Sequence, residues 1–149
     1  MGGNCQAEPA IMMLPDRERG FLLRRRIGHL ATADVSGIPS VVPVCFALEN
    51  DTLYTALDDK PKRTRRPRRV RDLEANPHVA FIADRYDEEW SRLGWVMIRG
   101  EAHTLESSKE FESGCELLRR RYPQYATMTL SPLVVIRILA VRSWGNMDG

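Results

Sequence analysis

The spacing of hydrophobic residues changes period several times along the chain. Residues 15–26, PDRERGFLLRRR, predict a short helix, with Pro15 in its first turn, Asp16 and Glu18 at the positive end and Arg24, Arg25 and Arg26 at the negative end. Strand-like patterning follows. Residues 27–33 form one strand, Asp34-Val35-Ser36-Gly37 a turn with glycine at the positive φ, and 38–48 a second strand. Pro39 and Pro43 cannot donate to a ladder, so this strand is bulged or lies at an edge. Residues 52–57 form a third strand and 79–84 a fourth, apolar enough to be buried on both faces. Residues 94–105 and 133–141 complete six strands. A short helix closes at Asn76-Pro77; another starts at a capping box of Ser107 and Glu110 and buries Phe111, Cys115 and Leu118.

Hairpin-length connections dominate, and helices do not separate every strand pair. The fold class is therefore mainly β: an antiparallel six-stranded barrel with flanking helices rather than a doubly wound parallel sheet. A flexible segment over residues 1–14 precedes a single domain over 15–149. No GxGxxG or GxxxxGK[ST] occurs, so neither a Rossmann nor a P-loop site is indicated. No apolar run approaches the roughly 20 residues of a membrane span, and the N-terminus lacks the basic start of a signal peptide. Gly2 follows Met1, but Gln6 stands where myristoylation wants Ser or Thr. Cys5, Cys45 and Cys115 have no metal-site spacing and imply no disulfide framework, which fits a reduced, cytoplasmic protein.

Charge adds the feature that the hydrophobic pattern misses. The net charge is +2, yet residues 60–71, KPKRTRRPRRVR, hold eight basic side chains and no acidic one. The other 137 residues carry 14 basic and 20 acidic groups, a net of −6. Three roles fit the basic run. It is a solvated charged face, a nucleic-acid contact, or the cradle of a small, highly anionic ligand. Pro61 and Pro67 preclude a long basic helix, and no aromatic residue is interleaved, which weighs against nucleic acid. The run passes from a strand end into a helix start near Thr64, where backbone N–H groups and the helix dipole favour an anion. Lys60, Lys62 and Arg63 flank that point and suit phosphate.

With strand order and basic loop both in view, the chain resembles the pyridoxamine 5′-phosphate oxidase-like, flavin-binding split-barrel superfamily. Within it, the chain is similar to the branch that uses the deazaflavin coenzyme F-420. The carrying segments are IGHLATADVSGIPSVVPVCF at 27–46, KPKRT at 60–64, RVRDLEANPHVAF at 69–81, DRYDEEWSRLGWVMIRGEA at 84–102 and VIRILAVRSWG at 135–145. The resemblance implies a split-barrel homodimer with each cofactor in the groove between two barrels. It implies that Pro43, Val44 and Cys45, with Tyr54, Thr55 and Ala56, line the deazaflavin ring. Lys60, Lys62 and Arg63 would hold the phosphate, Arg69 or Arg71 the outer carboxylates, and Trp144 would pack by the cofactor. Pro67 and Arg68 depart from the usual residues of the helix, and Gly94 replaces a bulky aromatic, which would widen the substrate side of the pocket.

FMN carries one phosphate; F-420 strings a phosphodiester and several carboxylates along one arm, and eight basic groups suit the longer anion better. The expected activity is hydride transfer between F-420 and an activated double bond of a small organic substrate. The alternatives are an FMN flavoprotein and a non-catalytic cofactor-binding protein. No catalytic acid stands out. Tyr54, Tyr86, His29, His78 and His103 are candidates, with His29 expected in the core. Trp90 and Trp95 read as core or interface anchors. Asp87, Glu88 and Glu89 read as a solvated loop, and no metal is expected.

Overall fold

The structure is a computed structural model, and the residues described are 14–56 and 68–149. Among the described residues, seven antiparallel strands form one sheet: β1 (Gly28–Ala33), β2 (Pro39–Val44), β3 (Ala47–Glu49), β4 (Thr52–Ala56), β5 (His78–Arg85), β6 (Gly94–Leu105) and β7 (Leu133–Gly145). Among the described residues three α-helices accompany them: α1 (Asp16–Leu23), α2 (Arg68–Ala75) and α3 (Lys109–Arg121). The spatial order is β2-β1-β5-β6-β7-β4-β3, an antiparallel half-barrel of the split-barrel type.

The seventh strand corrects the expectation of six. The apolar run at 38–48 is not one strand; it breaks at Cys45-Phe46 and serves both edges of the sheet. The cause lies 76 residues away. The Tyr122 hydroxyl accepts a hydrogen bond from the Phe46 N–H at 3.1 Å and lies 3.0 Å from the Phe46 carbonyl and 2.9 Å from that of Arg26. A side chain thus satisfies backbone groups that a ladder would otherwise take. The two prolines behave as anticipated. Pro39 and Pro43 sit on β2, an edge strand, where missing donors cost nothing.

The main core lies inside the curved sheet, where Leu30, Phe46, Leu53, Phe81, Val96, Ile98 and Ile136 are buried. Phe46 and Phe81 meet edge-on with ring centroids 4.9 Å apart. Gly28 is required beside them, since a Cβ there would lie 2.1 Å from the Phe81 ring. Helix α1 contributes Phe21 and Leu22, and α2 contributes Val70 and Leu73. A second cluster fills the space under α3, from Ala47, Tyr54, Ala56, Cys115, Leu118, Leu133 and Val135.

Three local expectations change. Strand β5 is not buried on both faces: Val79, Phe81 and Ala83 point into the core, while Ala80 and Ile82 on the other face are half-buried. Helix α3 is capped by Ser108 rather than Ser107, its hydroxyl oxygen accepting from the Phe111 N–H at 3.1 Å. Helix α1 ends at Leu23, and its arginines do not face their own helix end. Arg24 donates to the Met147 carbonyl at 2.6 Å, Arg25 to the Gly149 carbonyl, and Arg26 to the Arg121 carbonyl at 2.5 Å. These contacts tie the helix to later parts of the chain. No helix among the described residues is long and apolar enough to cross a membrane.

Candidate functional site

Strand register assembles an outer sheet face from residues that alternate away from the core. Reading across β2, β1, β5, β6 and β7, one row runs Pro43, His29, Ile82, Met97, Arg142. The next runs Val41, Ala31, Ala80, Arg99, Ala140. Toward the β5–β6 hairpin, Asp84, Trp95 and Trp144 form a third. Val41 is 66% exposed and Trp144 53%, on a face that mixes alanine, proline, isoleucine and methionine with His29, Arg99 and Arg142. His29 is exposed on this face and does not belong to the core, which corrects its expected place. Pro43 and Trp144 therefore share one face but stand four strands apart, about 19 Å at the usual strand spacing.

A small cleft with a mostly apolar lining lies at the β2 edge. Leu30 and Thr32 of β1, Ser40 and Val42 of β2, and Arg69 and Leu73 of α2 line it. The helix is held over this edge by Val70 and Leu73, and Arg69, Thr32 and Ser40 are the polar residues of the lining. Of the two arginines expected to meet the outer carboxylates, only Arg69 lines the cleft; Arg71 is exposed elsewhere on α2. Arg68 makes a 3.9 Å ion pair with Asp72 one turn on. Lys60, Lys62 and Arg63 lie outside the described residues. One guanidinium and two hydroxyls form a donor set suited to a phosphate oxygen.

The third group joins β4 to α3. Tyr54 donates its hydroxyl proton to Glu110 Oε2 at 2.8 Å, and Arg137 holds the same carboxylate with both terminal nitrogens at 2.7 and 2.8 Å. Arg137 also donates to the Thr52 hydroxyl at 2.9 Å. Hydrogen bonds from Arg137 hold the Glu110 carboxyl below the usual range, and the same carboxylate raises the Arg137 guanidinium. Burial, and then Glu110, push the Tyr54 hydroxyl up to about 12. This phenol is therefore a poor proton donor to any bound molecule.

The resemblance placed Tyr54, Thr55 and Ala56 together beside a ring. Tyr54 and Ala56 pack into the cluster under α3, whereas Thr55 points the other way and donates to the Cys45 carbonyl at 2.7 Å. Cys45 is half-buried against the same cluster, Val44 is in the main core and Pro43 is exposed. The β2 end and β4 are thus neighbours through the Thr55–Cys45 contact, and the Tyr54 hydroxyl is taken up by Glu110. Gly94 does not widen a pocket. A Cβ there would lie 2.5 Å from the Asn146 carbonyl oxygen and 3.2 Å from Phe21, so a buried chain segment fills the space.

Sequence reasoning passed over Ser40, Thr32 and Arg137, and read Glu110 as part of a capping box rather than as the partner of Tyr54 and Arg137. Arg137 carried a usable signal. One arginine within the apolar run VVIRILAV must find a carboxylate when its strand is buried. Ser40 and Thr32 had none, because only the register sets them opposite each other.

Residues 14–145 match the sequence profile of the family described as pyridoxamine 5′-phosphate oxidase. No curated protein matches the chain. Among solved structures, a conserved hypothetical protein of Mycobacterium tuberculosis superposes with a TM-score of 0.69 at 22% identity, over 91% of this chain and 88% of that one. An FAD-binding protein of Mesorhizobium loti gives 0.64 at 21% identity, over 89% and 95%. A haem storage protein of Vibrio cholerae gives 0.65 at 17% identity, over 88% and 94%. At these identities the likenesses show a shared fold.

Proposed function

We propose that this chain, which belongs to the pyridoxamine 5′-phosphate oxidase family, is an oxidoreductase that binds the deazaflavin coenzyme F-420 and passes a hydride between it and a small substrate with an activated double bond. The observation that carries the proposal is the cleft of Arg69, Thr32 and Ser40, which stands at the end of a twelve-residue run with eight basic side chains. One phosphate needs two or three such groups. A longer run of cations matches a phosphodiester followed by several carboxylates.

In this reading Arg69 holds the anionic arm by charge, and the Thr32 and Ser40 hydroxyls orient it. The small-residue surface around Ala31, Val41 and Pro43 offers a ring an apolar face. The bound cofactor supplies the two-electron chemistry. The Glu110–Arg137 pair keeps Tyr54 and α3 fixed at the rim.

Assembly as a homodimer with a groove between barrels accompanies the proposal, and the outer sheet face supports it. Arg69 and Trp144 lie toward opposite ends of the protomer. Strand β5 separates them, its His78 end following α2 and its Arg85 end pairing beside Trp95 and Trp144. A second copy packed face to face with reversed orientation would bring its Trp144 toward the first copy's β2 edge.

The test is a visible spectrum of the purified protein followed by assay of reduced F-420 with cyclohexenone. A colourless protein that oxidises reduced F-420 only when the enone is present supports the reading. A yellow, FMN-loaded protein supports the FMN alternative, and binding of F-420 without turnover of any of a panel of enones and imines supports a cofactor-binding protein.

A further inference from the structure

We infer that His29 is the side chain that hydrogen-bonds the polar pyrimidine edge of the flavin-type ring, an inference that rests on the cofactor-binding proposal above. His29 stands on β1 directly across from Pro43 on β2 and from Ile82 on β5. Directly opposed residues on one face bring their Cβ atoms to about 4.5–5.5 Å. The imidazole is therefore a close neighbour of the β2 end, set among Pro43, Ile82, Ala31 and Val41.

Among the described residues, no hydrogen bond or ion pair reaches His29. The charged and titratable groups on the same face belong to β5, β6 and β7: Asp84 and His78, Arg99 and Glu101, and Arg142. Asp84 is the diagonal neighbour of His29 on β5, and the others lie beyond Ile82, Ala80 or Met97 as seen from His29. The β2 residues opposite β1 on this face, Pro39, Val41 and Pro43, carry no polar side chain. Once a cofactor and a second protein copy cover this face, an imidazole without a partner is destabilising. A ligand that brings its own polar edge removes that cost.

The chemistry of the two partners matches. A neutral imidazole presents one N–H donor and one acceptor nitrogen. The pyrimidinedione of FMN and of F-420 offers carbonyl acceptors on both sides of an N–H. The reach also matches. Ser40 in the cleft and Pro43 beside His29 lie three residues apart on β2, about 10 Å along a strand. A polyol chain spans that distance from a phosphate at Arg69 around the free edge of β2 to a ring lying on Pro43.

The experiment uses proton NMR of the full chain, whose three histidines are His29, His78 and His103. His29→Gln identifies the His29 signal; His78→Gln and His103→Gln identify it by elimination if that variant does not fold. Spectra are recorded over pH 5–9 for the protein alone and at saturating FMN or F-420. The expected result is that the bound cofactor shifts the His29 ring signal and its titration midpoint and leaves His78 and His103 unmoved. His29→Ala should weaken binding of that cofactor about tenfold, the loss expected for one hydrogen bond, with His29→Gln intermediate. A cofactor that binds without moving the His29 signal overturns the role of His29 and leaves the cofactor proposal intact. Failure of both cofactors to bind overturns both.

Discussion

Tyr54 and Glu110 are 56 residues apart in sequence and joined by a 2.8 Å hydrogen bond that pins α3 to the sheet. Arg137 completes the pair through two further contacts to the same carboxylate. The triad sits beside the segment where β2, β3 and β4 meet. It is structural in its effect: it sets where the rim of the site stands.

Removing the carboxylate should be costly. Glu110→Ala leaves a partly buried guanidinium and a buried phenol without their acceptor, for a predicted loss of about 2–3 kcal/mol. Tyr54→Phe removes one hydrogen bond and should cost about 1 kcal/mol. Urea unfolding at neutral pH measures both.

The same group predicts opposite slopes at the two ends of the pH scale. The folded state depresses Glu110, so its contribution is complete above the ordinary value of 4.5 and is lost as pH falls through the lower folded value. The folded state raises Tyr54 from 10.0 to about 12, so its contribution is complete below pH 10 and declines as pH rises from 10 toward 12. Glu110→Gln should flatten the acid limb and lower the Tyr54 midpoint seen by ultraviolet titration.

Two features of the fold were legible in the sequence because they depend on local chemistry. Pro39 and Pro43 forbid a central strand, and β2 is at an edge. The Pro15 helix start and the strand boundaries near Gly28, Gly94 and Leu133 follow from period changes. The break at Cys45-Phe46 was not legible, since VVPVCFAL is continuously apolar and the interruption comes from Tyr122. Strand β5 looked buried on both faces because Ala80 and Ile82 are apolar, and hydropathy does not say whether a residue faces the core or an outer sheet surface. The basic run identified the neighbourhood of the site, but Thr32 and Ser40 joined Arg69 in one cleft only through strand register.

Gly28→Ala tests how tightly the core is specified. The added methyl would overlap the Phe81 ring, and overpacking of this kind costs about 1–3 kcal/mol. Gly37→Ala, with open space around it but φ at 83°, should cost about 1 kcal/mol through backbone strain alone. Thermal unfolding of the two variants separates crowding from conformation.

The outer sheet face gives a prediction about assembly. Val41 is exposed at the β2 edge of that face, so in the proposed dimer Val41→Glu should shift the sedimentation equilibrium toward monomer. Glu112→Lys, on the exposed side of α3, should leave the association state unchanged.

The most direct measurement is a side-by-side equilibrium titration of the wild-type protein and Arg69→Ala with F-420 and with FMN. The account predicts that F-420 binds more tightly than FMN. It also predicts that loss of Arg69 weakens F-420 by about 1.5–3 kcal/mol, the range for a charge-assisted hydrogen bond. Tighter binding of FMN, or an F-420 affinity indifferent to Arg69, would contradict it.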